Sequence, residues 1–258
     1  ETVWQIEAYD MTLILKEDCL TDPLYLAAGT SYVSAVQARL QAAGIVQTSI
    51  EDYVDTVLPA DREFDIGTSE LEIINTLLSE INFNDIHCDA DGVFIVSAYR
   101  EPNGLNVTGV YKADELSILE RDTQSELDYY AMPNVFIAVC SNPDLDQDYK
   151  SVWTNDNSAS PFSTIQRGRN ITSEIYRPKA IASQTDLDTY IRRKAYEVMS
   201  QKYEKLVFAT GLNPLHGSGE ILSVDHPDTT GIYEESAWSM ELSADGRMQH
   251  IGRKLVQL

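Results

Sequence analysis

The chain has 258 residues and carries 19 Lys and Arg against 41 Asp and Glu, a formal net charge of −22. An acidic surface repels phosphate groups, so this charge disfavours duplex DNA, RNA and anionic lipid as partners. The longest apolar run, Val135–Cys140, is far shorter than the roughly 18–20 residues that a membrane-spanning helix needs. The sequence therefore predicts no membrane span, and its length suits one large or two modest domains.

The acidic residues are concentrated in the first half of the chain. Residues 1–129 hold 6 basic against 25 acidic side chains, a net charge of −19, whereas residues 130–258 hold 13 against 16, a net charge of −3. One interpretation is a solvated face that keeps the protein soluble or suits a salt-tolerant organism. The other is a surface that must not bind polyanions.

The three cysteines, Cys19, Cys88 and Cys140, lie far apart, and none forms a C-x-x-C pair. This sparse, odd number argues against a disulfide scaffold or a zinc ribbon. We interpret all three as buried thiols in a chain that folds in a reducing cytoplasm.

The first half of the chain contains signals for two helices. Apolar residues at helical spacing predict a helix over residues 31–43, with Thr30 as its N-cap. Ser69 and Glu72 form a capping box ahead of a second apolar stripe, which predicts another helix.

Strand signals surround these helices. Trp4–Ala8 alternates apolar and polar residues, the period of a half-buried strand. Ile86–Cys88 and Val93–Tyr99 flank the turn sequence Asp89–Gly92 and predict a hairpin. Glu51–Asp65 has no clear period and is predicted as an extended connection.

The second half begins with a predicted buried strand at Val135–Cys140 and a long polar segment, residues 141–185, predicted as an irregular functional or partner-ordered loop. A helix follows, from Thr185 to about Tyr203. A series of short strands comes next, four or so in number. Their signals lie at Leu206–Ala209, at Ile221–Val224, around Tyr233, at Trp238–Leu242 and toward Leu255.

These strands predict a small barrel that Val135–Cys140 would complete, which makes residues 141–205 a loop and helix inserted between paired strands. The predicted fold class is α+β, with small antiparallel β-barrel domains combined with an α+β domain and a helical insertion in the second barrel.

Metal-binding patterns are weak. Asp89–Gly92 and Asp144–Asp148 have alternating carboxylates like calcium loops, but the first suits a hairpin turn. In the second, Tyr149 stands where the sharp-turn glycine is needed and Asn155 where the bidentate glutamate is needed. No close ligand spacing connects the four histidines, His87, His216, His226 and His250.

Catalytic patterns are equally weak. Gly217–Gly219 lacks the strand-to-helix context of a hydrolase nucleophile, and no phosphate loop or dinucleotide fingerprint occurs. Arg167–Arg169 is a tight basic cluster better suited to salt bridges than to a site. With 41 acids, a glycosidase pair cannot be recognised by composition, since its spatial separation identifies it. We therefore assign no catalytic, cofactor-binding or metal-binding residue.

Five stretches spread over nearly the whole chain form a distinctive combination when taken in order: Trp4–Asp18, Asp61–Phe83, Met132–Asp144, Thr154–Arg169 and Ala237–Leu242. Together they resemble the tail hub, or baseplate hub, proteins of tailed bacteriophages and prophages. Each stretch alone is a weak signal, and their shared order carries the resemblance.

The resemblance implies a structural protein of the virion tail, made in the bacterial host cytoplasm. Proteins of this type form a ring, usually a homotrimer, that joins the tail tube to the tail tip or spike, and each protomer contributes two small barrels. DNA passes through the lumen without specific binding, and neither a cofactor nor enzymatic activity is implied. An acidic lumen wall would repel that DNA, which gives a physical reason for the acidic first half.

On this template, the chain has three parts. Residues 1–18 hold the last strand of an upstream N-terminal barrel, and residues 19–132 form an α+β domain of two helices and a hairpin. Residues 133–258 form the second barrel with the insertion 141–205. The chain opens on Glu1 without an initiator methionine, so we expect a fragment of a longer protein. The polar loop 141–185 is the expected surface between protomers.

Two other functional classes stay open. The first is a tail-associated cell-wall hydrolase that uses two acidic residues or a metal. The second is a carbohydrate- or protein-binding module, for which exposed aromatic side chains on one barrel face would be the sign. Tyr129, Tyr130 and Trp153 are the candidates for such a face.

Overall fold

The computed structural model describes residues 9–51, 56–101, 106–114, 119, 123–127, 130, 132–141, 148–202, 204–217, 219–243 and 245–255. The predicted strand Trp4–Ala8 lies outside these residues, as do Tyr129, Asp144 and Asp146. No helix within them is both long enough and apolar enough to cross a membrane.

The described residues form five helices and fourteen strands. The helices are α1 (Thr12–Glu17), α2 (Tyr32–Ala42), α3 (Glu70–Glu80), α4 (Thr164–Arg167) and α5 (Gln184–Lys202). The strands before residue 130 are β1 (Leu24–Leu26), β2 (Thr48–Ile50), β3 (Arg62–Phe64), β4 (His87–Cys88), β5 (Phe94–Val96), β6 (Gly109–Lys112) and β7 (Gln124–Leu127). The later strands are β8 (Val135–Cys140), β9 (Tyr149–Thr154), β10 (Thr172–Tyr176), β11 (Glu204–Gly211), β12 (Ile221–His226), β13 (Thr229–Met240) and β14 (Arg247–Lys254).

The capping signals position α2 and α3 as predicted. Ser69 Oγ accepts a hydrogen bond from Glu72 N at 3.2 Å, so the capping box starts α3. The N-cap of α2 is Ser31 and not Thr30, since Ser31 Oγ accepts from Ser34 N at 3.0 Å. Both predicted helices are confirmed, with that one-residue correction.

The chain divides into two compact units. Unit 1 comprises residues 1–99, 137–152 and 175–191, and unit 2 comprises residues 100–136, 153–174 and 192–258. The predicted domain boundaries after residues 18 and 132 stay a prediction.

Unit 1 is built around α2 and α3. The buried faces of both helices share one apolar core with Phe83, Phe94 and Val96 from the loop and strand that follow. Strands β1 and β3 form an antiparallel pair, and β5 lies between β2 and β4 in a second small sheet. The hairpin predicted around Asp89–Gly92 is confirmed, because β4 and β5 are antiparallel on either side of it.

Unit 2 contains a six-stranded sheet with the order β6-β12-β13-β14-β11-β7. Its pairs are antiparallel except β6 and β12, which are parallel. The α+β class is confirmed, but the sheet is mixed where an antiparallel one was predicted. Over the described residues it is open, with β6 and β7 at its edges.

The sheet of unit 2 is strongly curled. Strands β6 and β11 stand four positions apart, which in a flat sheet is roughly 19 Å. Yet the rings of Tyr111 on β6 and Phe208 on β11 have centroids 5.6 Å apart. The concave face therefore encloses an apolar core, formed by Tyr111, Leu119, Leu206, Phe208, Leu222, Val224 and Tyr233.

Three sequence predictions need correction. Strand β8 is confirmed but lies between β9 and β10 in a separate sheet, so it does not complete the sheet of β11–β14. Residues 141–185 hold β9, α4 and β10 where an irregular loop was predicted, because their polar side chains conceal the strand period. Cys19 is exposed and Cys88 half-buried, so only Cys140 is the buried thiol that was predicted.

Asn134 connects the start of β8 to the segments before α4 and β10. Its Nδ2 donates to the carbonyls of Phe162 at 3.2 Å and Arg169 at 3.1 Å, while its Oδ1 accepts from Ile171 N at 2.7 Å. The residue is completely buried. One amide group thus satisfies three backbone groups that have no ladder partner in the strands.

We expect Asn134→Ala to lower the free energy of unfolding by about 3 kcal/mol, because the three hydrogen bonds of a fully buried amide are lost at about 1 kcal/mol each. Asn157→Ala is the matched control, since its Oδ1 accepts from Ala159 N at an exposed position. Urea unfolding followed by tryptophan fluorescence measures both variants. Equal losses in the two would contradict this role for Asn134.

Candidate functional site

Three polar side chains meet inside unit 2: His216 from the loop before β12, Glu235 from β13 and His250 from β14. His250 Nδ1 lies 2.6 Å from Glu235 Oε1, and His216 Nε2 contacts Glu235 Oε2. Both histidine side chains are 0% exposed and that of Glu235 is 1% exposed. We refer to these residues as the His–Glu–His cluster.

The cluster continues at both ends. His250 Nε2 lies 2.9 Å from Thr210 Oγ1 on β11, and Thr210 Oγ1 lies 2.9 Å from the carbonyl of Gly211. At the other end, His216 Nδ1 lies 3.2 Å from Glu220 Oε2. Every ring nitrogen of the two histidines therefore faces an oxygen.

A β-bulge in β13 places Glu235 on the inner face. Trp238 pairs with His250, but the register shifts between Glu235 and Ala237, so Glu235 pairs with Gly252. Residues at odd positions before the bulge and even positions after it therefore share the face of His250. The hydroxyl of Ser236, the extra residue, donates to the carbonyl of Ile251 at 3.0 Å.

A tight loop positions His216. Its backbone N–H donates to the carbonyl of Asn213 at 3.1 Å, and Asn213 Oδ1 accepts from Leu215 N at 3.2 Å. Glu220 holds the other side of the loop, since its Oε1 accepts from Gly217 N at 3.1 Å. The same carboxylate thus braces the loop and faces His216.

Aromatic rings surround the cluster. Phe208 stacks on His250 with centroids 4.6 Å apart and an interplanar angle of 10°, and Tyr111 lies 5.3 Å from the same ring. Trp238 meets His216 edge-on at 5.5 Å. Burial among these rings weakens screening by water, so each polar contact in the cluster is electrostatically stronger than it would be at the surface.

The chemistry of the cluster follows from its donors. Imidazole nitrogens and carboxylate oxygens can share a proton in a hydrogen bond, and without that proton both are metal ligands. Ligand atoms of the three residues lie within 4.8 Å of one another, which is close enough to surround one metal ion. The burial of all three side chains closes the cluster to a polymeric substrate.

Sequence reasoning considered His216 and His250 only singly and did not consider Glu235. The three are separated by 19 and 15 residues, so no local motif joins them. The available signal was the change of phase in β13: Tyr233 and Glu235 stand at odd positions, whereas Trp238 stands at an even one.

The other residues that the sequence analysis weighed lie apart from this cluster. His87 is exposed on β4, and His226 Nδ1 accepts from Asp228 N at 3.2 Å. Asp89 Oδ1 accepts from the backbone of Asp91 and Val93, as a hairpin turn requires. Tyr130 is 83% exposed, whereas Trp153 is half-buried and its ring centroid lies 5.8 Å from that of Phe136.

A second buried polar group lies in unit 1. Arg62 Nη2 is 3.2 Å from Glu80 Oε1, and Tyr32 Oη lies 3.1 Å from Glu80 Oε2 and 2.8 Å from the carbonyl of Ala180. Burial raises the pKa of Glu80 to about 7, although the charge of Arg62 and the Tyr32 hydroxyl oppose this rise. Burial also raises the pKa of Tyr32, and the nearby Glu80 adds to it.

A third polar group joins β11, β13 and β14. Glu204 accepts from Lys254 Nζ at 2.6 Å and from the hydroxyls of Tyr233 and Thr229 at 3.0 Å each. Burial opposes ionisation of Glu204, but these hydrogen bonds and the charge of Lys254 hold its pKa below the ordinary value. This group stabilises the curled sheet as an ion pair.

No protein-family model and no curated protein sequence matches the chain. Solved structures do match it. The tail protein from Neisseria meningitidis MC58 aligns with a TM-score of 0.70 and 11% identity, over 95% of this chain and 72% of that one. The 43 kDa tail protein of prophage MuSo2 from Shewanella oneidensis gives 0.66 and 10%, over the same shares.

A chain in the virion of a native gene transfer agent particle aligns with a TM-score of 0.58 and 14% identity, over 87% of this chain and 47% of that one. At such identities these likenesses show a shared fold. The fold of this chain therefore also occurs in two solved structures that are named tail proteins.

We expect Glu235→Ala to lower the free energy of unfolding by about 3–5 kcal/mol, because it leaves two buried imidazole groups without their acceptor. Glu235→Gln keeps one acceptor and should cost less. Glu241→Ala, an exposed position just after β13, is the control and should be close to neutral. Urea unfolding followed by tryptophan fluorescence measures the three variants. An unchanged free energy of unfolding in Glu235→Ala would contradict the expectation.

The raised pKa of Glu80 predicts a pH dependence of stability. Between its ordinary pKa of 4.5 and its folded pKa of about 7, the folded chain holds more protons at Glu80 than the unfolded chain. The free energy of unfolding should therefore fall as pH rises through this window, and Glu80→Gln should remove that contribution. Glu63, on β3 beside Arg62, is exposed, so Glu63→Gln should leave the pH dependence of stability unchanged.

Urea titrations across the window compare wild type with the two Glu80 and Glu63 variants. Parallel pH profiles for wild type and Glu80→Gln would contradict the assignment of this pH dependence to Glu80.

Proposed function

We propose that this chain is a structural component of a phage or prophage tail. The proposal is carried by the shared fold, which extends over 95% of the chain in two structures that are named tail proteins. It is supported by the particle structure, in which the similar chain is part of a virion. The protein would accordingly be made in the host cytoplasm and assembled with other tail proteins.

We further propose that it forms the hub ring, as a homotrimer, between the tail tube and the tail tip or spike. The sequence resemblance to tail hub proteins supports this more specific role. Trimerisation with two barrels per protomer would give the ring pseudo-sixfold symmetry.

The curled sheet of unit 2 supports the barrel component of this proposal. Leu119, in the segment between the edge strands β6 and β7, forms an isolated antiparallel bridge to Thr210 on β11. The curl also brings the ring of Tyr111 on β6 to within 5.6 Å of that of Phe208 on β11. We propose that this sheet is the small barrel expected for the second half of the protomer, with the parallel pair β6 and β12 as part of its wall.

The acidic composition supports a lumenal role. The chain carries a net charge of −22, and its first half accounts for −19 of it. We propose that acidic side chains face the channel and repel passing DNA, which a basic wall would retain. A ring structure with basic residues lining the channel would contradict this.

We propose a non-enzymatic role. The alternative, a tail-associated cell-wall hydrolase or a carbohydrate-binding module, needs residues that a polymer can reach. The His–Glu–His cluster, whose residue types would suit hydrolysis, has side chains that are at most 1% exposed. Such a cluster suits a structural role better than a catalytic one.

The test is to raise antibodies against the chain, induce prophages in the source bacterium with a DNA-damaging agent, and blot the purified particles. The protein should be present in intact tails, and gold labelling should mark the end of the tube. Absence from particles together with clearing of bacterial cell wall in a zymogram would overturn the structural role in favour of the hydrolase.

A further inference from the structure

We propose that the His–Glu–His cluster binds one divalent transition-metal ion of the zinc type, which cross-links the sheet of unit 2. The ligands are His216 Nε2, His250 Nδ1 and the carboxylate of Glu235. This inference does not depend on the proposed tail function, because it rests on geometry inside unit 2 alone.

The donor set fits this class of ion. Imidazole nitrogen with carboxylate oxygen suits Zn²⁺ and its neighbours in the first transition row, whereas Ca²⁺ and Mg²⁺ prefer all-oxygen sites. The three residues offer one ligand atom each, and these atoms lie within 4.8 Å of one another. Three protein ligands leave the fourth position of a tetrahedral zinc ion to one small ligand such as water.

The outer contacts also fit a metal site. A histidine that binds a metal through one nitrogen usually donates its other N–H to an oxygen, which fixes the ring. His250 Nε2 has such an oxygen, because Thr210 Oγ1 lies 2.9 Å away. His216 Nδ1 lies 3.2 Å from Glu220 Oε2 but makes no aligned hydrogen bond among the described residues, so this ring meets the pattern in distance only.

Metal binding replaces protons at the centre of the cluster. The 2.6 Å between His250 Nδ1 and Glu235 Oε1 is a hydrogen-bond distance. Donors that share a tetrahedral ion through bonds of about 2.0–2.1 Å lie roughly 3.3 Å apart. A neutral imidazole carries one proton, so in the metal-bound cluster that proton would lie on the outer nitrogen, His250 Nε2 or His216 Nδ1, and any proton in excess of this would leave to solvent as the ion enters. Each inner nitrogen would move away from its Glu235 oxygen by about 1 Å or less.

The burial of the cluster makes the role structural. A catalytic metal keeps an open position for substrate, whereas these side chains are at most 1% exposed. The ion would connect the loop of His216 to β13 and β14, whose ligands Glu235 and His250 follow His216 at successive intervals of 19 and 15 residues. Binding to the folded chain only would raise its stability in proportion to metal concentration.

The experiment uses the untagged chain, because a polyhistidine tag would bind the same ions. After dialysis against Zn²⁺ and then metal-free buffer, we expect about one equivalent of zinc per chain by mass spectrometry. Zn²⁺ at 100 times its dissociation constant should raise the unfolding midpoint by roughly 5–10 °C over the chelator-treated protein, whereas Mg²⁺ should not. Co²⁺ should give the visible absorption of a tetrahedral site.

The variants His216→Gln and His250→Gln should lose the bound zinc and the shift of the midpoint. His87→Gln removes an exposed histidine of unit 1 and should keep both. If a cluster variant does not fold, the comparison of zinc-loaded and chelator-treated wild type still decides. Three results would overturn the proposal. Wild type could hold less than about a tenth of an equivalent of zinc, the two wild-type samples could have the same unfolding midpoint, or His87→Gln could lose as much zinc as the cluster variants.

Discussion

The bulge between Glu235 and Ala237 is the constraint on which the interior of unit 2 depends. A regular strand would send Glu235 to the outer face whenever Trp238 pairs with His250 on the inner one. The extra residue, Ser236, changes the phase, so the carboxylate meets both histidines. On the opposite strand, β14, the residue that pairs with Glu235 is Gly252. A side chain there would crowd the sheet, because its Cβ would lie 3.0 Å from the Cβ of Tyr233.

Local signals predicted the local structure well. The side chains of Ser69 and Ser31 start α3 and α2, and turn chemistry around Asp89 sets the hairpin of unit 1. These features depend on residues within four or five positions of one another. Strands β11, β12 and β14 were predicted for the same reason, because each has its own apolar period. Strand β13 was predicted as two pieces, around Tyr233 and at Trp238–Leu242, because its bulge changes the period.

Contacts between distant segments could not be predicted. The pairing of β6 with β12 joins residues 113 positions apart, and that of β7 with β11 joins residues 77–83 positions apart, and no single-sequence period encodes such partners. No local pattern marks Asn134, although its amide organises two later segments. The His–Glu–His cluster has the same origin, because the bulge and the curl of the sheet bring its members together.

The open edges of the unit 2 sheet have a consequence for handling the isolated chain. Within the described residues, β6 and β7 each have a ladder partner on one side only, and Val110 on β6 is 60% exposed. A strand edge of this kind is a template onto which another extended segment adds. Concentrated solutions of the chain would therefore favour edge-to-edge self-association.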